Sequence, residues 1–186
     1  MNDVSATSHE ELLDLAYELD WHTKRSIIYH KSRQAFFQML SNGVNFISLL
    51  SSSAAAVALL SSPTVLSFEI YATLLIAGAQ ILGVVGQFST KATQHARFAS
   101  AFAGIERTLA TKRLISQDLI EDLSAQRISI EDDEPQKFSW LDIICHNEVA
   151  ISKNQKGEVY QVPWHAYLLR HFLRGRNIDP EKKLIE

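Results

Sequence analysis

Four consecutive side chains, Cys145, His146, Asn147 and Glu148, form the densest group of chemically active residue types in the chain. A zinc site would need three or four ligands at defined spacing, and a cysteine–histidine nucleophile would need orienting partners from elsewhere. The surrounding pattern predicts a helix, on which adjacent residues diverge by about 100°. The four side chains therefore point in different directions, which favours a structural or docking role.

The rest of the sequence has no motif typical of an enzyme. It lacks a glycine-rich phosphate loop, the GxSxG pattern and the HExxH pattern. His22 and His30 are two helical turns apart, a poor spacing for a metal pair. A net charge of −3 argues against a nucleic-acid partner. We predict a non-enzymatic protein with no catalytic, cofactor-binding or metal-binding residues and no cofactor.

The elements that position these residues follow from an uneven distribution of charge. The chain has 186 residues with 18 Lys+Arg and 21 Asp+Glu, yet residues 34–90 contain one charged side chain, Glu69. A bilayer core of about 30 Å needs roughly 20 apolar helical residues, so this window is long enough for two spans. We predict spans near residues 44–60 and 68–88, joined by a turn near residues 61–67. The turn is too short to hold a domain, so the two helices run antiparallel.

The basic residues give an orientation for this hairpin. They flank both predicted spans and are absent from the turn, at Lys24, Arg25, Lys31, Arg33, Lys91 and Arg97. The positive-inside rule therefore places both termini in the cytoplasm and the turn on the other side of the membrane. A buried hairpin in a soluble bundle is the alternative, but the remaining segments are mostly polar and poorly suited to cover it.

Polar residues share faces within both predicted spans. Asn45, Ser48 and Ser52 lie on one helical face of the first span, and Gln80 and Gln87 lie on one face of the second. Polar groups facing lipid are costly, so these faces are predicted to turn inward in a homo-oligomer and to line a pore or a polar interface. The alternative for the serines is that they bond back to helix carbonyls.

The remaining segments are predicted to be cytoplasmic helices. Residues 1–43 form an amphipathic helix that starts at Ser8 and leads into the membrane. After the hairpin (residues 44–90), residues 91–130 hold a return helix that ends near Leu123 and pairs antiparallel with the first. Residues 131–186 hold a solvated acidic linker and short C-terminal helices.

Two of these short helices are distinct in the sequence. One covers residues 138–153 and presents Phe138, Leu141, Ile144 and Cys145 on one side. The other covers residues 163–174 and carries aromatic residues together with arginines. This last helix could lie on the anionic inner leaflet or pack on the other cytoplasmic helices, and packing is the preferred interpretation.

The order of these features resembles the SLATT family, the SMODS- and SLOG-associating two-transmembrane effector domains of bacterial conflict systems. The resemblance covers about residues 10–153. It rests on the runs at residues 21–25 and 91–98, on the hairpin between them, and on the helix that bears residues 145–148. The juxtamembrane residues singled out are Arg25, His30, Arg33, His95 and Arg97.

The resemblance implies an all-α membrane protein: a two-transmembrane antiparallel hairpin extended by cytoplasmic helices. Its expected function is that of a pore-forming effector, which oligomerises in the inner membrane and permeabilises it during anti-phage defence. No sensor domain fits after Leu123, so a separate signal-generating or sensor protein is an expected partner. The alternative is a non-conducting membrane scaffold or regulator that binds a cytoplasmic partner. A holin-like or superinfection-exclusion protein is a lesser possibility.

Overall fold

A computed structural model describes residues 9–60, 66–112 and 114–172, and the regular elements in these ranges are helical. The all-α prediction is confirmed for them. The helices are α1 (His9–Leu60), α2 (Leu66–Gly86), α3 (Phe88–Thr111), α4 (Gln117–Asp132), α5 (Ser139–Ser152) and α6 (Trp164–Leu169), with a short 3-10 helix at Lys156–Glu158. The predicted N-cap Ser8 lies outside the described residues, as do residues 61–65 of the predicted turn.

The chain divides into two compact units. The first, the terminal unit, comprises Met1–Ser32 with Ala96–Glu186, and the second, the hairpin unit, comprises Arg33–His95. Helix α1 contributes residues to both, because no proline interrupts it and Gly43 is its single glycine. The prediction of an unbroken first helix is therefore confirmed from His9 onward.

The core of the terminal unit joins α1, α3 and α4. Its buried apolar residues are Ala16, Leu19, Ile27, Phe102, Ile105, Ile120 and Leu123. The His30 ring lies 5.8 Å from the Phe102 ring, whereas Lys24, further back on α1, approaches Glu106, further along α3. An earlier position on α1 therefore contacts a later position on α3. The two helices are antiparallel here, as predicted.

The return helix differs from its prediction. It ends at Thr111 rather than near Leu123, and a separate helix, α4, begins after Ser116. The Ser116 hydroxyl accepts a hydrogen bond from the Leu119 amide at 3.3 Å, which caps the new helix. Leu123 belongs to α4 and still reaches the core. The three- and four-residue spacing of apolar residues therefore continues into α4, although the helix itself is interrupted before Ser116.

The last helix also differs from its prediction. Helix α6 ends at Leu169, and residues 173 and 174 of the predicted helix lie outside the described residues. The preferred interpretation, in which this helix packs on another cytoplasmic helix, agrees with the contact between α6 and α5. Its large side chains stay outside that contact, since Trp164 is 75% exposed and Leu168 is 67% exposed. Ala166 is the buried residue of this helix, so α6 packs through its smallest side chain.

In the hairpin unit, small residues bring α1 and α2 together. Ala79 is buried, and a Cβ placed on Gly83 would meet Val44 Cγ1 at 3.0 Å. Gln87 has a φ of 47° and separates α2 from α3. A Cβ on the preceding Gly86 would meet the tip of the Phe88 ring. A larger residue at position 86 would therefore have to displace that ring.

Candidate functional site

The hairpin unit contains an open groove of about 300 Å³ between α1, α2 and the start of α3. Three of the residues predicted to form a pore or polar interface, Asn45, Gln80 and Gln87, line it. The other lining residues are Ser41, Val44, Gly83, Val84, Phe88, Ser89 and Thr90. Amide side chains from two helices thus converge on one polar surface. Ser41 and Ser89 extend this surface.

The two remaining predicted residues have local partners. The Gln80 amide donates a hydrogen bond to the Ser48 hydroxyl at 3.0 Å, which ties α2 to α1. The Ser52 hydroxyl donates to the Ser48 carbonyl oxygen of its own helix at 2.7 Å. Ser52 therefore follows the alternative in which a serine satisfies itself on its helix. Ser48 belongs to the contact between the helices.

The hairpin unit also exposes large apolar side chains, of which Val84 borders the groove. More than half of the side-chain surface is accessible at Met39, Phe46, Leu49, Leu50, Tyr71, Leu74, Leu75, Ile81, Leu82, Val84 and Val85. A soluble monomer rarely presents a continuous apolar surface of this extent. One helical stretch of the described residues, Thr73–Thr111, is long and apolar enough to cross a membrane, with 6% of its most apolar window buried.

One end of the hairpin unit is organised around the ring of Phe37. The Arg33 guanidinium carbon lies 4.5 Å from the ring centroid, and the His95 ring stacks on it at 5.7 Å. Lys91 Nζ lies 5.7 Å from the same centroid. Two of the predicted juxtamembrane residues, Arg33 and His95, therefore meet on one aromatic side chain. The aromatic pair at residues 36–37, three and four residues after Arg33, is the sequence signal for this contact.

The other juxtamembrane residues belong to the terminal unit and lie apart. Arg25 Nε is 3.5 Å from Asp142 Oδ1 of α5, whereas Arg97 is exposed. His30 Nε2 is 2.8 Å from Glu134 Oε1, and the two side chains are 0% and 3% exposed. The Glu134 carboxylate is thus buried against α1, although it belongs to the segment predicted to be a solvated linker.

Residues 134–138 are held on α1 by three polar contacts. Besides the His30–Glu134 pair, Lys137 Nζ donates to the Ser26 hydroxyl at 3.4 Å, and the Phe138 amide donates to the Tyr29 hydroxyl at 3.0 Å. Burial alone would raise the pKa of Glu134, but the hydrogen bond to His30 and the charge of Lys137 outweigh it and lower the pKa. The chain from Glu134 onward is therefore docked on α1, whereas Asp132 and Asp133 of the predicted linker are exposed.

The side chains at residues 145–148 are arranged for a structural role. Cys145 is buried, and burial with the nearby carboxylates of Glu148 and Asp142 raises the pKa of its thiol, which makes it a poor nucleophile. The Asn147 amide donates to the Tyr160 carbonyl at 2.9 Å and accepts from the Tyr160 amide at 2.8 Å. His146 Nε2 lies 2.9 Å from the Glu158 carbonyl oxygen. The cluster thus holds residues 158–160 against α5.

A second cavity, of about 340 Å³, lies in the terminal unit. It is lined by Tyr17, Glu18, Trp21, His22, His146, Gln155 and Glu158. Burial and the charge of Arg25 lower the pKa of both His22 and His146. Among the residues that the structure describes, no three His, Cys, Asp or Glu side chains converge as a metal site requires.

The lowered pKa values give the fold a defined pH dependence. The unfolded chain takes up protons at His22 and His146 near their ordinary pKa of 6.5, before the folded chain does. Stability is therefore complete above pH 6.5 and declines as the pH falls through the lowered values. The pKa values of Asp20 and Glu134 are also lowered from their ordinary values of 3.8 and 4.5. Stability therefore falls further when the pH drops below those ordinary values.

We expect the thermal midpoint to fall as the pH is lowered from 7 to 5, measured by circular dichroism. His22→Gln flattens this first decline, because it removes one of the two groups that resist protonation in the fold. His9→Gln, at an exposed position on α1, leaves the decline unchanged. A midpoint that rises on acidification over this range would contradict the prediction.

Comparisons with protein-family models, with curated proteins and with solved structures give no significant match to this chain.

Proposed function

We propose that the chain is a membrane effector whose hairpin unit inserts in the bacterial inner membrane as two antiparallel spans, oligomerises and permeabilises the bilayer. The observation that carries this proposal is a groove lined by amide side chains on a unit that also exposes many large apolar side chains. Both termini lie in the cytoplasm in this proposal. The resemblance to the SLATT family supports the same function and adds a separate signal-generating or sensor protein as a partner.

Membrane insertion is supported by where the apolar side chains lie. A soluble helical hairpin buries such residues in a core, whereas Leu49, Leu74 and Val85 are between 63% and 74% exposed. Lipid would cover these side chains without a further protein layer. The low burial of the candidate spanning stretch distinguishes it from the core helix of a soluble protein, which passes the same length and hydropathy test.

Oligomerisation is supported by the polar groove. Asn45 and Gln87 are exposed there, and an exposed amide in hydrocarbon costs several kcal/mol, roughly, unless it finds a polar partner or water. A hairpin of two helices has almost no interior in which to hide these groups. Packing grooves together around an axis would place the amides on each other or on a water-filled path.

Dye release from liposomes tests the pore directly. We expect the purified full chain to release a trapped dye, and the double variant Asn45→Leu with Gln80→Leu to release it roughly tenfold more slowly, because an apolar lining resists wetting. The oligomer mass in detergent is measured in parallel, so that loss of conduction is separated from loss of assembly.

Ser53→Leu is the matched control for this experiment. Ser53 is also an exposed polar residue of α1, but it does not line the groove, and its hydroxyl bonds the Leu49 carbonyl of its own helix. Its variant is expected to release dye as fast as the parent chain. Equal release from the groove variant and the parent would count against the pore geometry.

A non-conducting scaffold is the second candidate, and one contact favours it. The hydrogen bond between Gln80 and Ser48 satisfies two polar groups inside a single hairpin, so these groups do not by themselves require a water-filled path. In that case the oligomer forms, the parent chain releases no dye at any protein-to-lipid ratio, and the terminal unit binds the cytoplasmic partner.

A further inference from the structure

The segment at α6 presents its apolar side outward. Trp164, Tyr167, Leu168 and Phe172 are between 50% and 75% exposed. The first three share one face of α6, and Phe172 lies in the turn that follows the helix. Ala166 is fully buried and anchors the opposite side of the segment on the protein. A surface helix normally buries its apolar face and exposes its polar one. Here the arrangement is reversed.

The charge of this segment indicates which kind of surface the apolar face could bind. Residues 159–178 contain three arginines, Arg170, Arg174 and Arg176, and no Asp or Glu, in a chain whose net charge is −3. A positive, acid-free stretch around an exposed apolar face complements an anionic surface that has apolar material beneath it. Two copies of the face would bring six arginines together, which disfavours self-association.

The residue types point in the same direction. Tryptophan and tyrosine are enriched at membrane–water interfaces, because one end of each side chain is apolar and the other forms hydrogen bonds. Arginine extends its apolar stem along such a surface while its guanidinium binds phosphate oxygens. Each arginine close to an anionic bilayer strengthens binding about fivefold.

We propose that this C-terminal face, defined by Trp164, Tyr167, Leu168 and Phe172, docks on the anionic lipid surface of a bilayer. The positive charge comes from the arginines at positions 170, 174 and 176 of the same stretch of sequence. The site is additional to the hairpin proposed above and uses a different unit of the chain. It would bring the terminal unit against the headgroups, so that lipid composition controls its position.

The experiment uses the full chain with a single environment-sensitive label. Leu168→Cys in a Cys145→Ala background is labelled and reconstituted in vesicles of phosphatidylcholine, with or without phosphatidylglycerol. We expect blue-shifted emission and roughly halved quenching by acrylamide, a neutral quencher, in the anionic vesicles alone. High salt reverses the change, because it screens the arginines. Replacing the three arginines with glutamine abolishes it.

A label at Gln126→Cys is the matched control. Gln126 is exposed on α4, and its label should be quenched equally in both kinds of vesicle. Equal quenching at residue 168 in the two vesicles would overturn the proposal. So would protection in detergent that grows with protein concentration, which indicates a second copy, or protection that requires an added acidic peptide. Resistance to carbonate extraction reports hairpin insertion independently of all these outcomes.

Discussion

Replacing His30 with alanine is expected to destabilise the terminal unit by about 2–4 kcal/mol, because it removes a buried ring and one of the two groups that pair with Glu134. Lys137 Nζ remains 3.2 Å from the other carboxylate oxygen. The imidazole lies 2.8 Å from the Glu134 carboxylate and is enclosed by the rings of Phe98 and Phe102. Its loss therefore leaves a buried carboxylate short of a donor and opens a cavity between two aromatic rings.

The thermal midpoint in detergent, followed by circular dichroism, measures this loss. For a chain of this length we expect it to fall by about 10 °C. Glu134→Gln, which keeps the shape and an acceptor oxygen, is expected to cost less, about 1–2 kcal/mol. Asp133→Ala removes the exposed neighbouring carboxylate and should change stability by less than about 0.5 kcal/mol. A His30→Ala midpoint equal to that of the control would contradict the structural role of the pair.

Replacing Asn147 with alanine is expected to release residues 158–160 from α5 and to cost about 2 kcal/mol. The Asn147 amide forms reciprocal hydrogen bonds with the amide and carbonyl of Tyr160, so it acts as a neighbouring strand would. Alanine forms neither bond. Asn147→Asp keeps the acceptor for the Tyr160 amide, but it loses the donor and places a charge against the Tyr160 carbonyl oxygen.

Hydrogen exchange at the Tyr160 amide is the local readout for this prediction. Exchange should accelerate strongly in Asn147→Ala and less in Asn147→Asp, in which the amide keeps an acceptor. Glu148→Ala, at the adjacent exposed position, should leave the exchange rate at Tyr160 unchanged. Slow exchange in both Asn147 variants would show that another group holds the segment.

The helices with long apolar periodicity could be predicted from the sequence, whereas their interruptions could not. Helix α1 was expected because no proline breaks it, and its pairing with α3 followed from apolar residues three and four positions apart. The break between α3 and α4 was missed because the same spacing resumes at Ile120 and Leu123. Ser116 was the available signal, since a serine with Asp118 in the first turn is typical of a helix start.

The burial and the partners of individual polar residues depend on contacts between distant parts of the chain, which no local sequence pattern contains. Glu134 lies in an acidic run, which favours solvent, and only the fold brings it to His30, 104 positions away in the chain. The convergence of Asn45 and Gln80 followed from helical faces, which sequence spacing defines well. Gln87 also lines the groove. Its predicted position assumed a continuous helix, whereas its φ of 47° shows that the helix is interrupted at this residue.

That left-handed residue also has an energetic consequence. A residue other than glycine in this conformation costs about 1–2 kcal/mol relative to a right-handed helical one. A continuous helix through residue 87 would recover this energy, which corresponds to roughly a tenfold change in a conformational equilibrium. The contacts around the junction between α2 and α3 must therefore offset this cost in the fold.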